Sequence, residues 1–206
     1  MEFIKDHVFS EERSISYTLL KQKSHKLAIV LPGAGYTSQA PLLYYSTGLF
    51  VSKGFDVLHV NYSYSENQLK QIGAEGLGQD VKRVINQVVQ FYDEVMVCSK
   101  SLGTLALSQI VDDYKPQLCI WLTPLLQRDD VFHCLKISEF AGLVVIGDQD
   151  PCYIKERYSE LEHNPNLNMT LVSGANHSLE LQDKHPTESI NILKKYLAQL
   201  EGILNA

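Results

Sequence analysis

No Cys-x-x-Cys pair occurs in the 206 residues, and the four cysteines (Cys98, Cys119, Cys134, Cys152) are spread along the chain. That pattern supplies neither a disulfide framework nor a zinc site. Cys98 and Cys119 fall inside apolar runs, where free thiols act as small buried hydrophobes in a reducing compartment, so a cytoplasmic location is expected. No stretch of about 18 apolar residues exists to cross a bilayer. The opening residues, MEFIKDHVFSEER, carry too much charge for a signal peptide. Basic runs are absent too, and the formal net charge is −6. Binding a phosphate backbone needs clustered Lys and Arg, so neither nucleic acid nor a membrane is an expected partner. The chain lacks G-x-x-x-x-G-K-S/T and G-x-G-x-x-G, which excludes the two common phosphate-cradling loops.

What remains is 45% hydrophobic and 20% charged, the balance of a soluble globular protein. With no repeat and no low-complexity linker, residues 1–206 read as a single domain with its own core. Two strand-like runs, Glu2–Val8 and Ser14–Lys21, flank the charged Glu11-Glu12-Arg13 and predict an antiparallel hairpin at a sheet edge. Short, mostly apolar runs follow at Lys26–Leu31, Phe55–Val60, Glu94–Cys98, Gln117–Leu122 and Leu143–Ile146, and a last strand is expected at Leu167–Val172. Runs of this kind suit strands covered on both faces.

Helical patterns alternate with them. Pro41 opens one that Gly54 stops. Asp80–Tyr92 places Val81, Val84, Ile85, Val88 and Val89 on one face; the stretch before it, with Gly73, Gly76 and Gly78, reads as a loop. Further helices are expected at about 101–111, within 127–138 and over Tyr153–Leu161. A last helix from Pro186 carries Ile190, Leu193, Leu197, Leu200 and Leu204 as its apolar face. Strict alternation predicts an α/β fold, a mostly parallel sheet with helices on both faces. Such sheets bind ligands at the carboxyl ends of their strands.

One strand-end turn is chemically suggestive. The run Val95–Cys98 passes into Ser99-Lys100-Ser101-Leu102-Gly103, and a helical pattern begins behind it. This is the build of a nucleophile elbow, with Ser101 at its tip. Taken alone, it reads equally as a serine capping a helix. Serine is a poor nucleophile without a base, a carboxylate to orient that base, and N–H donors for the oxyanion. The other strand ends supply a candidate for each. His177, after the last strand, is the base candidate; His7, His25, His59, His133, His163 and His185 occupy places less suited. Asp150 or Asp148, after Ile146, is the acid. The backbone N–H groups of Ala34 and Leu102 are the oxyanion donors. The order Ser, Asp, His separates this arrangement from other serine hydrolase folds.

With those residues in place, residues 26–200 resemble the α/β-hydrolase superfamily, in particular its small serine hydrolases. Members carry a small-residue loop after the third strand, here Pro32-Gly33-Ala34-Gly35. They carry the elbow, here with Ser99 for the usual first glycine. They carry Gly-x-x-Asp after the seventh strand, here Gly147–Asp150, which favours Asp150 over Asp148. A histidine after the eighth strand matches His177. Only about residues 124–140 are available for an insertion, so no substantial lid domain is expected. The resemblance implies a carboxylesterase- or thioesterase-like hydrolase forming an acyl-enzyme on Ser101. It needs no metal and no organic cofactor, and acts on a small-molecule acyl substrate; a homodimer is left open. Tyr36 and Tyr62 are candidates for lining the substrate site. Tyr44 and Tyr64 are further candidates, with packing the favoured reading for Tyr44; Lys100, beside Ser101, is read either as near the site or, in preference, as a local cap or packing residue. The alternatives are a non-catalytic binding or scaffold protein with this fold, or an acyltransferase or lyase using the same residues.

Overall fold

The computed structural model describes residues 1–10, 13–181 and 186–205. β1 (Glu2–Ser10) and β2 (Arg13–Lys21) form the antiparallel hairpin expected at the sheet edge. Glu11 and Glu12 of its expected turn lie outside the described residues, as does His185. β2 also runs antiparallel to β4 (Asp56–Asn61). Beyond it, β4, β3 (Lys26–Leu31), β5 (Glu94–Lys100), β6 (Leu118–Leu122), β7 (Gly142–Gly147) and β8 (Leu167–Val172) pair in parallel. The eight strands lie in the order β1-β2-β4-β3-β5-β6-β7-β8.

Parallel neighbours need crossover connections, and here those are mostly helices that cover both faces. Along β3 the side chains alternate. Leu27, Ile29 and Leu31 join a core with Leu77 and Val81 of α2 (Glu66–Ile85) and Leu105 of α3 (Leu102–Ser108). Ala28 and Val30 join a second core with Leu42, Leu43 and Phe50 of α1 (Pro41–Ser52) and Tyr196 and Leu200 of α7 (Pro186–Leu204). Burial on both faces explains why β3 reads as a nearly unbroken apolar run rather than an alternating one.

The strand order fixes where the crevice lies. The chain goes from β3 outward to β4, then returns across β3 to β5 and continues through β6, β7 and β8 in one direction. The reversal falls between β3 and β5, and ligand crevices form at the carboxyl ends of strands flanking such a switch point.

Three helical expectations are corrected. The segment read as a loop before residue 80 is helical, with α2 starting at Glu66. Ser65 and Gln68 form a capping box: Ser65 N donates to Gln68 Oε1 at 2.9 Å, and Gln68 N donates to Ser65 Oγ at 3.3 Å. Gly73 kinks the helix with φ 61° and ψ −167°, a conformation that its missing Cβ permits. The far end of that expected helix is a single 3₁₀ turn, Val89–Phe91. The helix expected at about 101–111 is broken into α3 and the one-turn α4 (Val111–Tyr114). On α7, Ile190 is 59% exposed, and the inward stripe centres on Tyr196 and Leu200. Tyr196 is drawn inward because its hydroxyl meets Ser46 Oγ of α1 at 2.6 Å.

Between β6 and β7 the chain forms α5 (Asp129–Ile137), whose Val131 and Leu135 are buried in the core. The segment covers the sheet and builds no lid domain. α6 (Lys155–Leu161) packs beside α5 through Tyr158 and Leu161.

Candidate active site

β5 ends at Lys100, α3 begins at Leu102, and Ser101 makes the turn between them with φ 51° and ψ −113°. A side chain at positive φ is strained and persists only where its surroundings over-determine it. Here the Ser101 N–H donates to the Leu122 carbonyl at 3.0 Å. The Ser101 carbonyl accepts from both the N–H and the hydroxyl of Thr104, at 2.8 and 2.6 Å. Ser101 stands at the helix N-cap, yet its hydroxyl makes no capping bond. Ser99, where the family pattern has glycine, is fully buried and donates its hydroxyl to the Ile120 carbonyl at 2.9 Å. That bond satisfies the added polar atom and explains how serine fits there.

The Ser101 hydroxyl points instead to His177, with Oγ 2.8 Å from Nε2. On the other edge of the ring, Nδ1 lies 2.9 and 2.8 Å from the two carboxylate oxygens of Asp150. Asp150 is buried and also accepts from the Cys152 N–H at 2.8 Å. With Nδ1 donating to Asp150, Nε2 is left as the acceptor facing Ser101. The geometry is that of a proton relay. Asp148, the competing carboxylate, accepts the Gly174 N–H at 2.7 Å. That bond holds its pKa below the usual aspartate value, and the residue serves the turn instead. Asp150, Cys152 and His177 bring ligand-type atoms within 4.8 Å of one another. Within that cluster Asp150 and His177 are hydrogen-bonded to each other.

The loop after β3 lies against this turn. A Cβ built on Gly33 would meet the Ser101 Cβ at 3.3 Å. The Gly33 N–H closes a tight turn onto the Tyr36 carbonyl at 3.0 Å. Ala34 is exposed at the loop's tip, and Leu102 is buried at the first position of α3. Tyr62 is buried, and its hydroxyl donates to the Pro32 carbonyl at 2.5 Å. It therefore braces the loop from beneath, and its ring stacks on Tyr64 at 5.8 Å. Tyr36 is partly exposed, its hydroxyl accepting the Leu42 N–H at 3.0 Å, and burial pushes its pKa up to about 12. Tyr44 lies exposed on α1. His59 is enclosed on β4 with Nε2 2.8 Å from Thr47 Oγ1, away from Ser101's partners.

Lys100 is the residue that sequence reasoning underrated. Its side chain turns inward, 1% exposed, and donates to Thr123 and to the backbone of His177. Lysine is rarely enclosed, so nothing in its identity or spacing signals this.

The family model for the alpha/beta hydrolase domain matches residues 24–205. No curated protein matches the chain by sequence. Among solved structures, it is similar to an a/b serine hydrolase without lid from Xanthomonas campestris, at 16% identity and TM-score 0.70, covering 98% of this chain and 92% of that one. An esterase from Pyrococcus furiosus superposes with TM-score 0.73 at 14% identity, covering 99% and 92%. An alpha-beta serine hydrolase homologue from Coxiella burnetii gives 0.70 at 15% identity, covering 98% and 95%. At these identities the likeness speaks for the fold, and the family match adds the lineage: the chain belongs to the alpha/beta hydrolase family.

Proposed function

We propose that this hydrolase cleaves a carboxylic ester, thioester or activated amide through an acyl-enzyme on Ser101. The observation that carries the reading is the continuous bonding from Ser101 Oγ through His177 to the buried Asp150, at 2.8 Å on each side of the ring. His177 Nε2 takes the Ser101 proton as Oγ attacks the acyl carbon, and Asp150 stabilises the imidazolium that forms. The N–H groups of Ala34 and Leu102 receive the oxyanion. His177 then protonates the leaving alcohol, thiol or amine. Water, deprotonated by the same ring, releases the acid and restores Ser101. Tyr36, beside the loop, flanks the incoming acyl group, while Tyr62 keeps the loop in place.

A serine-directed fluorophosphonate is expected to add its mass at Ser101 in the wild type and to leave Ser101→Ala unlabelled. Labelling that survives in Ser101→Ala overturns the assignment.

A further inference from the structure

Lys100 is the last residue of β5, immediately before Ser101. A lysine in such a place would ordinarily extend its ammonium to water. This one is enclosed, and its contacts reach three other strand-end loops. Nζ donates at 3.0 Å to Thr123 Oγ1, just after β6. It donates at 2.9 Å to the carbonyl oxygen of His177, after β8. It lies 4.7 Å from the centre of the Tyr36 ring, in the loop after β3. Partway along the side chain, Cδ is 3.6 Å from where a Gly33 Cβ would stand. One side chain thus joins the turn carrying Ser101, the loop carrying His177 and the loop carrying Ala34.

A buried ammonium is costly unless its donors are used and a counter-charge is near. Both conditions are met here. The groups that face it are the Asp150 carboxylate and the Cys152 thiol in the turn after β7, and the Tyr36 phenol. Burial raises Cys152 to about 11 and Tyr36 to about 12, so neither carries charge near neutral pH. An apolar side chain of equal length would fill the slot without desolvation cost, but it would offer no donor to His177 and no charge to Tyr36.

Resting on the acyl-transfer reading above, we propose that Lys100 is a positioning residue for that reaction. Its ammonium holds the His177 backbone and the Gly33–Tyr36 loop in register with Ser101, and the register holds only while the group is charged. Burial lowers its pKa to about 8. The neutral amine lacks the attraction to the Tyr36 face and to Asp150. Acylation therefore falls as pH rises through this value. Cys152 and Tyr36 titrate too high to supply the alkaline limb.

The test is the acylation rate constant with a chromogenic ester, from about pH 6 to about pH 10, in wild type and Lys100→Met. The wild type should lose activity above about pH 8, while Lys100→Met should be slower by about 10- to 100-fold at neutral pH and show no limb there. A folded Lys100→Met that keeps the wild-type rate, or the same alkaline limb, overturns the proposal. Should that variant fail to fold, the wild type labelled with ¹³C at lysine Cε decides: the Lys100 signal must titrate with the midpoint of the acylation limb, and a mismatch overturns the role. A wild type that is never acylated refutes the acyl-transfer reading itself. An acylated wild type with an unchanged variant refutes only the role of Lys100.

Discussion

Gly103 lies so close beneath the end of β3 that a Cβ added to it would overlap the Leu31 carbonyl oxygen. Leu31 is paired in the sheet and fully buried, so it has no room to yield. The closing glycine of the elbow pattern is thus set by the approach of α3 to β3. Gly103→Ala is expected to destabilise the fold by about 1–3 kcal/mol or more, since overpacking moves backbone here rather than a side-chain tip. Urea denaturation of variant and wild type reads this directly.

The positive φ of Ser101 makes a second prediction. Both Ser101→Ala and Ser101→Gly should abolish acylation. Their stabilities should invert the usual ranking, in which glycine is the less stable. Alanine keeps the strained φ, worth about 1–3 kcal/mol, while glycine relieves it at the cost of a more flexible unfolded chain. Thermal denaturation of the two inactive variants should show Ser101→Gly at least as stable as Ser101→Ala. An alanine variant clearly more stable than the glycine one would mean that this turn carries no strain.

Asp150 and Asp148 should separate cleanly on substitution. Asp150→Asn offers His177 a side-chain amide in place of the carboxylate, and should lower kcat/KM by about 10³–10⁴-fold. Asp148→Asn should leave kcat/KM within about threefold of wild type, because its carboxylate bonds Gly174 and makes no contact with the ring. Its effect belongs to stability. A carboxylate with a lowered folded pKa stabilises above the unfolded value, near 3.8, and loses that contribution as pH falls through the folded value. Wild type and Asp148→Asn should therefore converge in stability at strongly acidic pH and separate above it.

The sheet and the alignment of Ser101, Asp150 and His177 were legible because each rests on a local signal. Strands buried on both faces declare themselves as apolar runs, and strand-end turns declare themselves through glycine, serine and aspartate. α2 was misjudged at its start because Gly73, Gly76 and Gly78 read as a loop, whereas Gly73 interrupts the helix without ending it. α7 was misjudged because Tyr196 was left out of an apolar stripe that its ring completes. The choice between elbow and cap at Ser101 rests on φ and on the direction of one hydroxyl. The enclosure of Lys100 rests on three loops distant in sequence. Neither property is encoded in any short stretch of residues.

The last prediction turns the burial of Lys100 into a dependence of stability on pH. The folded pKa is lowered from 10.5 to about 8. Below the lower value, both folded and unfolded chains carry the proton, and the folded state bears the full cost of the buried charge. Between the two values the unfolded chain binds more proton than the folded one, so stability rises with pH, by about 3 kcal/mol across the window. Other groups titrate there too, but they cancel in the difference between wild type and Lys100→Met. That difference, measured by denaturant unfolding from about pH 7 to about pH 10.5, should move toward the wild type by this amount. A lysine whose ammonium stayed hydrated in the folded state would show no such slope. Acylation is expected to fall across the same range in which stability rises, so the charge that favours the reaction is one that the fold would be more stable without.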